Sequence, residues 1–174
     1  MARIPYADLG SEQARPLVER IVAERGSVLH LYQMLLHSPP IAEGWLNYLT
    51  AVRQKASLSG ALRELVIVRV AQITGAPYEA DQHIPIALKE GVSQAQIDDL
   101  ADWEASSRFS DKERRVLALT EQMTRQVHVD KPLMAQLGED FSHQELVELV
   151  ATVAAYNMVS RFLEAFGIHS DDPR

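Results

Sequence analysis

Residues 63–91 read RELVIVRVAQITGAPYEADQHIPIALKEG, and the fold is decided there. Up to Thr74, the side chains of Leu65, Val66, Ile67, Val68, Val70, Ala71 and Ile73 leave a helix no clean wet face. A helix apolar nearly all round belongs in the middle of a core. Its β-branched residues would also suit a buried strand, but the length of the run favours a helix. Gly75-Ala76-Pro77 breaks the chain, and a proline in the first turn starts a second helix that runs to about Glu90 and stops at Gly91. Pro85 removes a backbone donor inside that helix and should bend it just after His83.

Outward from this pair, helices are expected on both sides. Upstream, residues 1–10 form an extended lead-in, followed by helices over residues 11–25, 27–37 and 41–56, with Ser38-Pro39-Pro40 stopping the second. Downstream, Ser93 with Gln96, Ser110 with Glu113 and Ser142 with Glu145 each set a capping box before an apolar periodic run. Asp130 with Pro132 opens a shorter helix to Leu137. The last helix reaches about Phe166, ends at Gly167, and carries the uncharged middle LVATVAAYNMVS, which must be largely buried. The expectation is an all-α fold forming a single domain over residues 1–174.

Composition narrows the chemistry. The chain has no cysteine, which removes disulfides, thiolate metal sites and thiol nucleophiles. Net charge is −7 and there is no Lys/Arg-rich run, so nucleic acid and anionic membrane are poor partners. The first residues carry no apolar signal-peptide core, and uncharged stretches such as 149–160 are too short to span a bilayer, so a cytoplasmic protein is expected. GxSxG, Walker A, GxGxxG and HExxH patterns are all missing.

The polar groups of the central stretch carry the functional expectation. Glu79 and His83 are four residues apart and share a helix face. A carboxylate beside an imidazole is the minimum for general acid/base work, although the same spacing also describes an ordinary surface ion pair. Glu64 opens the most apolar helix. There it is either a buried proton-transfer group or a carboxylate favoured by the helix dipole or paired with Arg63 or Arg69. Tyr78 is a candidate hydrogen-bond donor to a substrate oxygen, or a packing residue. One histidine and two carboxylates make a weak metal pattern, so neither metal nor cofactor is expected. His30 and His37 read as core or interface histidines, while Asn157 and Arg161 either tie helices together or anchor a substrate carboxylate.

The run from Arg63 to Ala87, with AAYNMVSRFLEAFG near the end, resembles the carboxymuconolactone decarboxylase family, which includes the alkylhydroperoxidase D-like proteins. The resemblance covers roughly residues 40–168, leaving residues 1–40 as an N-terminal helical extension. It implies a compact multi-helix alkylhydroperoxidase D-like bundle, assembled as a homo-oligomeric trimer or hexamer. The peroxidase branch uses a glutamate, a Cys-x-x-Cys pair and a histidine. Glu64 and His83 match the outer two, whereas Ala76 and Glu79 occupy the cysteine positions and Tyr78 falls where a relay histidine often stands. Thiol-dependent peroxide reduction is therefore closed to this chain. What the resemblance leaves is a carboxy-lyase-like enzyme acting by decarboxylation or isomerisation on a small carboxylated or lactone-type molecule, with Glu64, Tyr78, Glu79 and His83 as its catalytic set. A small-ligand-binding protein without catalysis is one alternative, and an antioxidant alkylhydroperoxidase-like role, disfavoured by the absence of cysteine, is the other.

Overall fold

The computed structural model describes residues 1–173, and among them it contains nine α-helices and no strand. The chain forms two compact units, residues 1–55 with 163–173, and residues 56–162.

The first unit holds α1 (Arg15–Arg25), α2 (His30–Leu35) and α3 (Pro39–Thr50), with a π turn at Ala51–Lys55. Ile21, Tyr32, Leu35, Leu46 and Leu49 are buried within it. α1 starts four residues later than the sequence suggests, where Pro16 can occupy the first turn without a missing donor mattering. α2 is shorter than residues 27–37, because Leu29 is still extended at ψ 157°. His30 is buried against the Tyr6 ring, and the His37 ring bonds to the Pro5 carbonyl at 2.8 Å. Tyr6 donates to Asp172 at 2.6 Å, and Thr50 donates to Glu24 at 2.6 Å.

The second unit is built on α4 (Gly60–Thr74), and eight consecutive residues from Glu64 to Ala71 are buried in it. That is the physical meaning of a helix apolar on all sides. Ser59 caps its start, and Gly75 ends it in the left-handed region at φ 65°, where a side chain would be strained. α5 (Pro77–Lys89) runs back against α4, through Pro85 without a break in the helix. α6 (Gln94–Asp99) is only six residues long and tightens into a 3-10 turn, which delivers Leu100 and Trp103 to a core that includes Leu65, Val68, Phe109 and Leu117.

α7 (Asp111–Arg125) packs on α4, and α8 (Lys131–Asp140) packs on α7. Serines 93, 110 and 142 all form the expected capping boxes. Asp130 does not cap α8 with its side chain; it takes a bond from Gln122 at 2.9 Å instead. After α7, Val127 sits at φ 69°, a conformation β-branched residues avoid.

α9 (His143–Phe166) buries one stripe, Leu149, Thr152, Val153, Tyr156, Val159 and Ser160, while Val147, Ala154 and Met158 are exposed. Its uncharged middle is thus buried on one side only. With its charged ends included, α9 is long and apolar enough to cross a membrane by length and composition, so the expectation drawn from the uncharged core alone was too short. Half of its apolar window is buried inside the protein, as in a core helix.

Candidate functional site

The break at Gly75-Ala76-Pro77 turns the chain back so that α5 faces the start of α4. Glu79 lies in the first turn of α5, where a helix favours negative charge, and His83 follows one turn later on the same face. Glu64 comes from the facing helix and is fully buried, with 0% of its surface exposed. Glu79 and His83 are each 4% exposed.

These three side chains form one bonded chain. His83 Nδ1 lies 2.6 Å from Glu64 Oε2, and His83 Nε2 lies 3.1 Å from Glu79 Oε1. The other Glu64 oxygen accepts from Arg63 Nε at 3.1 Å, and Arg63 also reaches Glu90 at 3.5 Å. The ring of Tyr156, from α9, meets the His83 ring edge to face with centroids 5.1 Å apart. Two ionised carboxylates can only accept, so a histidine between them bonds both when both its nitrogens carry protons. Burial works against charge on His83, but the bonds and charges of Glu64 and Glu79 outweigh it and hold the imidazole above its ordinary pKa. Burial likewise pushes the Glu64 carboxyl up, and His83 with Arg63 brings it below its ordinary value. With its carboxylates ionised and His83 protonated, the group of Arg63, Glu64, His83 and Glu79 carries no net charge.

Three of the four expected residues therefore meet. Tyr78 is buried in the same first turn, but it precedes Glu79 by one position, so its side chain leaves the helix on a bearing about 100° away. Glu79 and His83 are not a surface pair, and Glu64 combines both of its expected accounts, being buried and also paired with Arg63. Among the described residues, no three such side chains converge on a point that could hold a metal ion; the imidazole stands between the carboxylates.

Two participants escaped the sequence. Tyr156 is one, and its signal was a lone aromatic in the uncharged run LVATVAAYNMVS. Glu90 is the other, on a helix end that reads as solvent-facing. Asn157 does tie helices, donating to Thr124 of α7 at 2.9 Å, while the exposed Arg161 bonds back to Asn157.

Residues 39–122 match the model of the carboxymuconolactone decarboxylase family. An uncharacterized protein of Escherichia coli, YnjA, is 32% identical over 127 residues; the match covers 72% of this chain and 66% of that protein, just under two thirds of its length. YdfG of Bacillus subtilis, also uncharacterized, is 28% identical over 66% of this chain and 79% of its own. A crystal structure of a peroxidase-related protein with an alkylhydroperoxidase AhpD core, from Ralstonia eutropha, superposes with a TM-score of 0.83 at 18% identity, covering 98% of this chain and 93% of that one. The debrominase Bmp8, in complex with 2,3,4-tribromopyrrole, does so at 0.79 and 17% identity, over 95% and 89%. At these identities the structures share the all-helical fold.

Proposed function

The chain belongs to the carboxymuconolactone decarboxylase family, and on that premise we propose that it is a cytoplasmic, cysteine-independent acid/base enzyme that decarboxylates or isomerises a small carboxylated or lactone-type molecule. The observation that carries this reading is the His83 imidazole, bonded at both nitrogens to buried carboxylates from two different helices. Paired titratable groups whose surroundings push them apart are the usual mark of proton-transfer machinery.

The two arms differ. The 2.6 Å bond to Glu64 holds the ring by Nδ1, and the longer 3.1 Å bond to Glu79 is the one that opens to a substrate. In decarboxylation, the bond to the departing carboxylate breaks and its electron pair enters the conjugated lactone as an enolate. The Nε2 proton is then delivered to carbon, and a proton from water restores the imidazolium. In isomerisation, Glu79 removes a proton from one carbon and His83 supplies one to another. Glu64 keeps the ring oriented and its charge compensated.

The test is release of carbon dioxide from carboxymuconolactone, followed alongside ring isomerisation by NMR. Wild-type protein should turn the substrate over, and Glu79→Gln and His83→Ala should each lose about 10²- to 10⁴-fold with helicity unchanged. Full activity in both variants would sink the assignment, and saturable binding without product would favour the ligand-binding alternative. We also propose a homo-oligomer, a trimer or hexamer, supported by the exposed apolar Val147 and Met158 on α9; sedimentation equilibrium checks it.

A further inference from the structure

Arg63 is not part of the acid/base pair, yet its surroundings are built with unusual specificity. Its Nε bonds the Glu64 oxygen that His83 does not use, at 3.1 Å. Its other end meets Glu90, which leaves α5 and folds across the first residue of α4. That residue is Gly60. A Cβ there would stand 1.7 Å from Glu90 Oε2 and 2.4 Å from its carboxyl carbon, so the Glu90 carboxylate lies where any other residue would carry a side chain. The result is a line of alternating charges running inward from the partly exposed Glu90 through Arg63 and Glu64 to His83 and Glu79.

We propose that Arg63 is a positioning residue: its guanidinium, steadied by Glu90 over the bare Cα of Gly60, fixes which oxygen of Glu64 faces His83 and keeps their shared proton on the imidazole. Glu64 is fully buried, and each of its two oxygens has one described partner, Arg63 for Oε1 and His83 for Oε2. Without Arg63, Oε1 becomes a buried anionic oxygen with no partner, which costs more than an exposed one. The cheapest escape is for the carboxylate to take the proton that lies across the 2.6 Å bond. His83 would then be neutral, accepting at Nδ1 and donating only at Nε2. The groups facing the ring are Glu64 from α4, Glu79 from its own helix and the Tyr156 ring from α9, and nothing among them replaces the lost cation.

This inference rests on the acid/base reading for its purpose, but its test needs no substrate, so the two can fail separately. The measurement is the ¹⁵N spectrum of selectively labelled histidine near neutral pH. Wild type should show both His83 ring nitrogens protonated. Arg63→Gln should shift the Nδ1 resonance towards that of an acceptor nitrogen, and Arg63→Lys, which keeps the charge, should restore most of the wild-type pattern. Gly60→Ala displaces only the flexible end of Glu90 and should give an intermediate shift without loss of fold. An Arg63→Gln protein with native circular dichroism and both nitrogens still protonated overturns the proposal. Should Arg63→Gln not fold, a Gly60→Ala protein with an unmoved Nδ1 resonance overturns it instead.

Discussion

α4 carries two ionic clusters, a turn and a half apart, and they differ in one component. At Glu64 the cluster closes on a histidine. At Arg69 it closes on Glu121 of α7, which Arg69 grips through Nε at 2.7 Å and through a second nitrogen, while Arg125 bonds the other Glu121 oxygen at 2.5 Å and Gln72 completes the set. Glu64, Glu79 and His83 are buried, as is Arg69, while Glu121 is half-buried and Arg125 exposed; both clusters tie α4 to a neighbouring helix. Only the first contains a group whose proton can move near neutral pH, because arginine holds its charge throughout. Buried charge alone therefore does not mark a site; a titratable centre within it does.

The largest expected difference is in turnover. Where His83→Ala costs about 10²- to 10⁴-fold in kcat/KM, Glu121→Gln should leave kcat/KM within about twofold on the surviving folded protein. Equal losses in both would erase the distinction.

Stability tests the second cluster directly. Arg69→Ala leaves the half-buried Glu121 held by Arg125 alone and should cost about 1 to 3 kcal/mol in urea denaturation, through the lost bonds and the poorer compensation of its charge. A loss below about 1 kcal/mol would place the second cluster among ordinary surface pairs.

pH separates the two more finely. His83 is held above its ordinary 6.5, so its contribution is complete below that value and is lost as pH rises through the folded value. Glu64 is held below its ordinary 4.5, so its contribution is present above 4.5 and lost as pH falls through the folded value. In the second cluster, burial raises Glu121 but Arg125 and Arg69 overcome it, giving an acid limb of the same sign. Melting temperature against pH should therefore fall on both sides, and His83→Gln should abolish the alkaline fall and keep the acid one.

The smallest effect lies beside the second cluster, at Val127. Glycine there removes the penalty for a left-handed β-branched residue and should stabilise the protein by about 1 kcal/mol. A melting temperature that drops instead would mean the Val127 turn supports the Arg125 contact.

Much of this was legible in the sequence, and the reasons differ by element. The α4–break–α5 unit was readable because hydrophobicity on every side, Gly75 and Pro77 are local signals with few alternatives. The capping boxes were readable for the same reason. The short α2 was not, because Leu29 stays extended ahead of it, and neither was the 3-10 turn after α6, where packing of Leu100 and Trp103 into the core overrides local helix preference. Glu79 and His83 could be paired by spacing, but their burial depends on α4 and α9, and no spacing rule reaches from residue 83 to Tyr156. Glu90 over Gly60 was invisible, since a missing side chain announces nothing until another fills its place.

The cancellation of charge at the site also constrains its history. Arg63, Glu64, His83 and Glu79 sum to zero, so any one replacement by a neutral residue leaves a buried, unmatched charge. A descendant of this chain could not drift out of the arrangement one neutral step at a time. It would have to change two opposite partners nearly together, or pass through a weakened ancestor that gained stability elsewhere first.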